Sequence, residues 1–109
     1  MANKFIAAQG DILIQQISDV PTRAKPVAPE NGRFVVAHGE ATGHHHSFGM
    51  DAGITLFRDD GAGSALFAEV TAPASLEHQE HDTIVLPVGK FRFIRQRTMQ
   101  SGVVRRVAD

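Results

Sequence analysis

Ile54-Thr55-Leu56-Phe57-Arg58, then Asp59-Asp60-Gly61-Ala62-Gly63, then Ala65-Leu66-Phe67-Ala68-Glu69-Val70 is the stretch that decides the fold class. The first run alternates apolar and polar residues, the second is a strong turn signal, and the third answers the first. Residues 54–70 therefore read as a β-hairpin. The same grammar extends outward. Asp11-Ile12-Leu13-Ile14-Gln15-Gln16-Ile17 is β-rich and bounded by Gly10 and Asp19. Pro21, Pro26 and Pro29 make residues 18–32 an extended surface loop. Arg33 to Ala37 resumes strand character, and Ala74 to His78 reads as a short strand. Thr83-Ile84-Val85-Leu86 is an apolar run closed by the turn Pro87-Val88-Gly89.

Towards the end, Lys90-Phe91-Arg92-Phe93 alternates cleanly, while Ile94 shifts the phase and predicts a bulge. Val103 to Val107 predicts a last short strand. No window carries helical periodicity. Short strands with Gly and Pro turns predict an all-β sandwich, jelly roll or small barrel, one domain over residues 1–109.

Composition narrows the chemistry. The chain has no cysteine, so thiolate zinc sites, thiol catalysis and disulfide scaffolds are excluded. There is no Trp or Tyr and there are only seven Phe, so the core must be largely aliphatic. Residues 1–11 hold no long apolar stretch, and the reading is of a cytoplasmic protein without signal peptide or membrane span. Residues 1–89 carry five basic against eleven acidic side chains, a net of about −6; residues 90–109 carry six basic against one acidic, about +5.

This asymmetry predicts a homo-oligomer, with Arg95, Arg97, Arg105 or Arg106 meeting Asp59, Asp60 or Glu69 of a neighbour. A different acidic partner, nucleic acid included, is the other use of the basic segment. Phe91 and Phe93 read as core residues, with the intervening basic side chains directed outward.

Histidine is where the sequence points to function. Five of six histidines fall in two clusters, His44-His45-His46 and His78-Gln79-Glu80-His81. Strand alternation puts His44 and His46 on one face and His45 on the other. His78 and His81 converge only if the chain turns between them, as Gln79-Glu80 allows. Four imidazoles with no thiolate suit a divalent transition metal, zinc, iron, manganese, nickel or copper. His44, His46, His78 and His81 are the expected ligands. Glu40, Glu77, Glu80 and Asp51 are possible oxygen ligands or supporting groups, and Glu40 or Glu80 the proton carrier if the centre is catalytic. Acidification should weaken such a site, because only neutral imidazole ligates. The competing reading is a non-catalytic assembly protein with histidines and the basic strand at subunit interfaces. Ser47 beside His46 is not a nucleophile–base pair, since adjacent strand residues point apart.

Two resemblances follow from these motifs. His44-x-His46 followed by Asp51, with the later Pro87-x-Gly89 turn, resembles half of the cupin metal motif. That likeness implies His44, His46 and Asp51 as ligands. Arg92 stands where a cupin has its last histidine ligand, and His81 where it has glycine. Gly39-Glu40-Ala41-Thr42-Gly43-His44-x-His46, His78-x-Glu80-His81, Leu86-Pro87-x-Gly89-x-Phe91 and Arg105-Arg106-Val107-Ala108-Asp109 together resemble a group of small uncharacterised bacterial and phage-associated proteins. This implies a similar all-β fold and a mobile-element setting.

Overall fold

The computed structural model describes residues 4–39, 43–62, 65–100 and 103–106. The first strands are a hairpin, β1 (Ile6–Gln9) and β2 (Ile12–Ile17), with Gln9 opposite Ile12. Its two-residue loop is Gly10-Asp11. Gly10 sits at φ 57°, a left-handed conformation that glycine takes without steric cost. β3 (Lys25–Pro26) is a two-residue edge strand within the proline-rich loop, a place where a residue lacking an N–H is tolerated. β4 (Arg33–His38) and β5 (His45–Gly49) pair as a second hairpin. β6 (Ile54–Asp59) and β7 (Ala65–Val70) form the expected hairpin, with Ile54 opposite Val70 and Asp59 opposite Ala65. β8 (Ala74–Leu76) pairs with β9 (Ile84–Leu86). β10 (Gly89–Arg95) lies between β2 and β7. β11 (Arg97–Gln100) and β12 (Val103–Arg106) close the chain as a separate hairpin.

Six strands form one antiparallel sheet in the order β1-β2-β10-β7-β6-β3. The hairpins β4–β5 and β8–β9 are stitched together by Ser47 and Glu77. Each donates its N–H to the other's C=O, at 3.0 and 2.8 Å. This smaller layer and the six-stranded sheet share one core: Ile12, Ile14, Phe91 and Phe93 from one side, Phe48, Leu76 and Leu86 from the other. The outcome follows from alternation, since Phe91 and Phe93 point inward while Arg92 between them is exposed. No helix of the described residues is long and apolar enough to cross a membrane.

One local expectation needs correction. β10 has no bulge at Ile94. Its register with β2 runs unbroken from Lys90 opposite Ile17 to Arg95 opposite Ile12, and Ile94 is half-buried on the outer face. The register shift instead falls in β4, between Val35 and Ala37, which lets both Val35 and Val36 be buried. The last short strand expected from Val103 is β12, paired with β11 in a hairpin that begins at Arg97 after the ladder of β10 stops at Arg95; Val107 lies outside the described residues.

Phe48 joins the two layers. It is fully buried, and its ring meets that of Phe93 edge-on at 6.3 Å. Phe48→Ala should lower the unfolding free energy by about 3–5 kcal/mol, through lost transfer energy and the cavity left behind. A urea titration reads this directly; a loss below about 1 kcal/mol would mean that the layers are not held through this contact.

Candidate metal centre

β5 presents its residues as alternation requires. His45 and Ser47 share one face; His44, at the strand's entry, and His46 share the other with Phe48. The chain bends after Glu77 and returns into β9, so His78 and His81 come to one side of the bend with ring centroids 4.6 Å apart. The two clusters meet. His46 lies 4.5 Å from His78 and 6.2 Å from His81, and His44 lies 5.5 Å from His78.

At the floor are three residues that the sequence reading did not place at this site: Gln9, Asp11 and Arg95. Gln9 and Asp11 are buried at the β1–β2 turn. The Gln9 amide donates to the carbonyl oxygens of Leu76 and Asp82, at 2.8 and 2.9 Å. Those carbonyls flank the 78–81 bend, so one side chain pins both of its ends. Gln9 Oε1 is then left to accept from His46 Nδ1 at 2.8 Å. This places the neutral ring's proton on Nδ1 and its lone pair on Nε2, the nitrogen turned towards Asp11 Oδ1 at 3.5 Å. Asp11 Oδ2 lies 3.1 Å from Arg95 Nε, an ionic contact without hydrogen-bond alignment. Arg95 also donates to the His38 carbonyl at 2.6 Å. Arg95 is therefore engaged within its own chain. A sequence signal for this corner did exist: Gly10-Asp11 is a recognised two-residue hairpin loop.

The remaining histidine contacts are looser. His44 Nδ1 stands 3.7 Å from Glu80 Oε1. His78 Nδ1 accepts the Glu80 N–H at 3.0 Å, so the neutral ring carries its proton on Nε2. His81 Nε2 is buried and makes no hydrogen bond among the described residues. The rings are thus gathered but not arranged as a finished centre. Among the described residues no group of three or more histidine or carboxylate side chains stands in position to hold an ion.

The other expected oxygen donors lie elsewhere. Glu77 is ion-paired with Arg33. Asp51 lines a separate cleft of about 380 Å3 with Arg33, Gly49 and Ser75. Glu40 lies outside the described residues. Asp59, expected to meet a neighbour's arginine, is instead buried against its own Arg23 at 2.8 Å.

On the opposite face of β5, His45 Nδ1 donates to Ser47 Oγ at 2.8 Å, because Gln79 Nε2 already donates to His45 Nε2 at 3.1 Å. Ser47 also accepts from Arg33 Nε at 2.6 Å and is fully buried, so this Ser–His pair has the wrong tautomer and no access for nucleophilic work. Partial burial, then the Arg33 guanidinium, holds the His45 pKa below that of an ordinary histidine. A depressed folded-state pKa means that the unfolded chain takes up the proton first as pH falls. The His45 contribution to stability is whole above pH 6.5 and lost as pH drops through the depressed value. Melting temperature measured in chelator should therefore decline from pH 7 towards 5, and less steeply in His45→Gln. A flat wild-type profile would contradict this.

Fold and site together define a small all-β domain with a partly buried histidine cluster gathered over the buried carboxylate of Asp11. The chain belongs to the family of the domain of unknown function DUF8820, whose model matches residues 8–96. That match takes in Gln9, Asp11, all four clustered ring positions and Arg95, and stops before β11. No curated protein and no solved structure matches the chain.

Proposed function

We propose that this protein binds one divalent transition-metal ion (zinc, iron, manganese or nickel) through His44, His46, His78 and His81. The observation that carries the reading is the meeting of two separate histidine clusters at ring-centroid distances of 4.5–6.2 Å over a buried carboxylate. Two imidazoles bonded to one tetrahedral ion at about 2 Å have centroids roughly 5 Å apart. His46 Nε2 and Asp11 Oδ1, 3.5 Å apart, are close to the roughly 3.3 Å that separates two ligand atoms on such an ion. Asp11 thus joins the candidate ligands as an anionic oxygen, which a four-coordinate ion would take in place of one of the imidazoles. Gln9 is the supporting group that fixes the His46 tautomer.

His78 enters the set by giving up its bond to the Glu80 N–H or by turning its ring. Binding is therefore accompanied by a local rearrangement of the 78–81 bend. A bound ion supplies Lewis acidity, and Glu80, exposed beside His44, is the carboxylate positioned to carry a proton.

Elemental analysis of untagged protein, purified without a nickel column and dialysed against each ion, tests the reading. About one equivalent per chain is expected, lost in a His46→Ala, His81→Ala double variant that still folds by circular dichroism. Protein that retains no ion from any of the four solutions would refute it.

A further inference from the structure

We infer that the C-terminal hairpin β11–β12 is an assembly arm that adds to the β1 edge of a second copy of this chain. The hairpin forms a two-stranded sheet of its own and is not part of the six-stranded sheet. A lone two-stranded hairpin is marginal in water and needs a third strand or a covered face. Gln96 is the single residue between β10 and β11, and its N–H is held by the Asp11 carbonyl at 2.7 Å. β1 lies two strand positions from β10, about 10 Å away. Arg95 and Arg97 are two residue steps apart, at most about 7 Å, so β11 cannot cross past β2 to its own β1.

The receiving edge is specified by contrast. The six-stranded sheet ends in β3 on one side and β1 on the other. β3 is Lys25–Pro26, and both residues discourage pairing. β1 is Ile6-Ala7-Ala8-Gln9, with no charge and no proline, and Ile6 is 64% exposed. The Phe5 carbonyl accepts from Gln16 N–H, so alternation assigns Phe5, Ala7 and Gln9 to the ladder with β2. Ile6 and Ala8 then turn their backbone groups to the open side.

Charge agrees with this pairing. The arm sequence carries Arg97, Arg105 and Arg106. The inner end of β1 is bonded through the Gln9 side chain to the Asp82 carbonyl, which brings the exposed acidic residue Asp82 near the end of that strand.

Multi-angle light scattering on the full chain tests the inference. Wild-type protein should assemble as a dimer or larger closed ring, and the assembly should loosen with salt. Ala8→Pro removes an outward N–H without breaking the β1–β2 ladder, and should give folded monomer. Arg97→Glu, Arg105→Glu, Arg106→Glu together should do the same while metal content and circular dichroism stay unchanged, which separates this result from the metal reading. A monomeric wild type overturns the inference, as does an assembly that survives both variants. Dissociation by Ala8→Pro alone would assign the edge to β1–β1 pairing and overturn the arm. A wild-type monomer that binds a short DNA duplex through the three arginines would give the arm to nucleic acid and equally overturn it.

Discussion

Adding zinc to metal-stripped protein is expected to raise its melting temperature by roughly 15 °C, the largest single change that one ligand should produce here. A ligand that binds only the folded state, at about 1,000 times its dissociation constant, stabilises by about 4 kcal/mol. A domain of this size gains several degrees per kcal/mol. The folded state alone can bind in this way, because the proposed ligands come from β5, the 78–81 bend and the β1–β2 turn, which only folding brings together. The shift should shrink steeply on acidification, since protons compete for the same imidazole nitrogens. Differential scanning fluorimetry in chelator and in each ion, at pH 5 and 7.5, measures both effects. A shift under about 2 °C with every ion at pH 7.5 would contradict a folded-state ligand site.

Asp11→Ala should be the most damaging substitution at the site, costing about 3–5 kcal/mol in metal-free protein. Asp11 is wholly buried, and its carboxylate faces Arg95 Nε at 3.1 Å and His46 Nε2 at 3.5 Å. Removing it leaves a guanidinium, only 20% exposed, without its counter-charge. A buried charge stripped of its partner is penalised more heavily than the intact pair is rewarded. Asp11→Asn keeps the shape and an acceptor oxygen, so it should cost less, about 1–3 kcal/mol. Replacing Arg95 by Met in the Asp11→Ala background should restore much of the loss, because no charge is then stranded. Chemical denaturation of wild type, Asp11→Ala, Arg95→Met and the double variant forms a double-mutant cycle. Additive losses would mean that the two side chains are not coupled.

The two effects act on one corner of the molecule from opposite directions. Asp11 is stabilised by Arg95 in the metal-free chain, and a divalent ion would supply a second positive neighbour. Gln9 connects this corner to both histidine clusters. It holds the His46 proton on Nδ1 and clamps the carbonyls on either side of the 78–81 bend. Supporting groups of this kind orient ligands and raise their basicity.

The amino-acid order alone determined the all-β class, the 54–70 hairpin, the inward Phe91 and Phe93, and the common face of His44 and His46. Each is a consequence of a local period of two interrupted by glycine and proline, and local periodicity is written along the chain. The convergence of His78 with His81 was legible only as a condition, a turn at Gln79-Glu80, because a three-residue spacing contradicts strand alternation. Asp11, Gln9 and Arg95 were not legible as site residues. Gln9 and Arg95 are separated by 86 positions in sequence, and they meet at Asp11 and His46 because β1, β2 and β10 are neighbours in one sheet. The placement of Asp59 against Arg23 and of Glu77 against Arg33 was decided in the same way, by which charges burial forced into pairs. Strand order and ion-pair choice depend on contacts between distant segments, and only the packed structure carries that information.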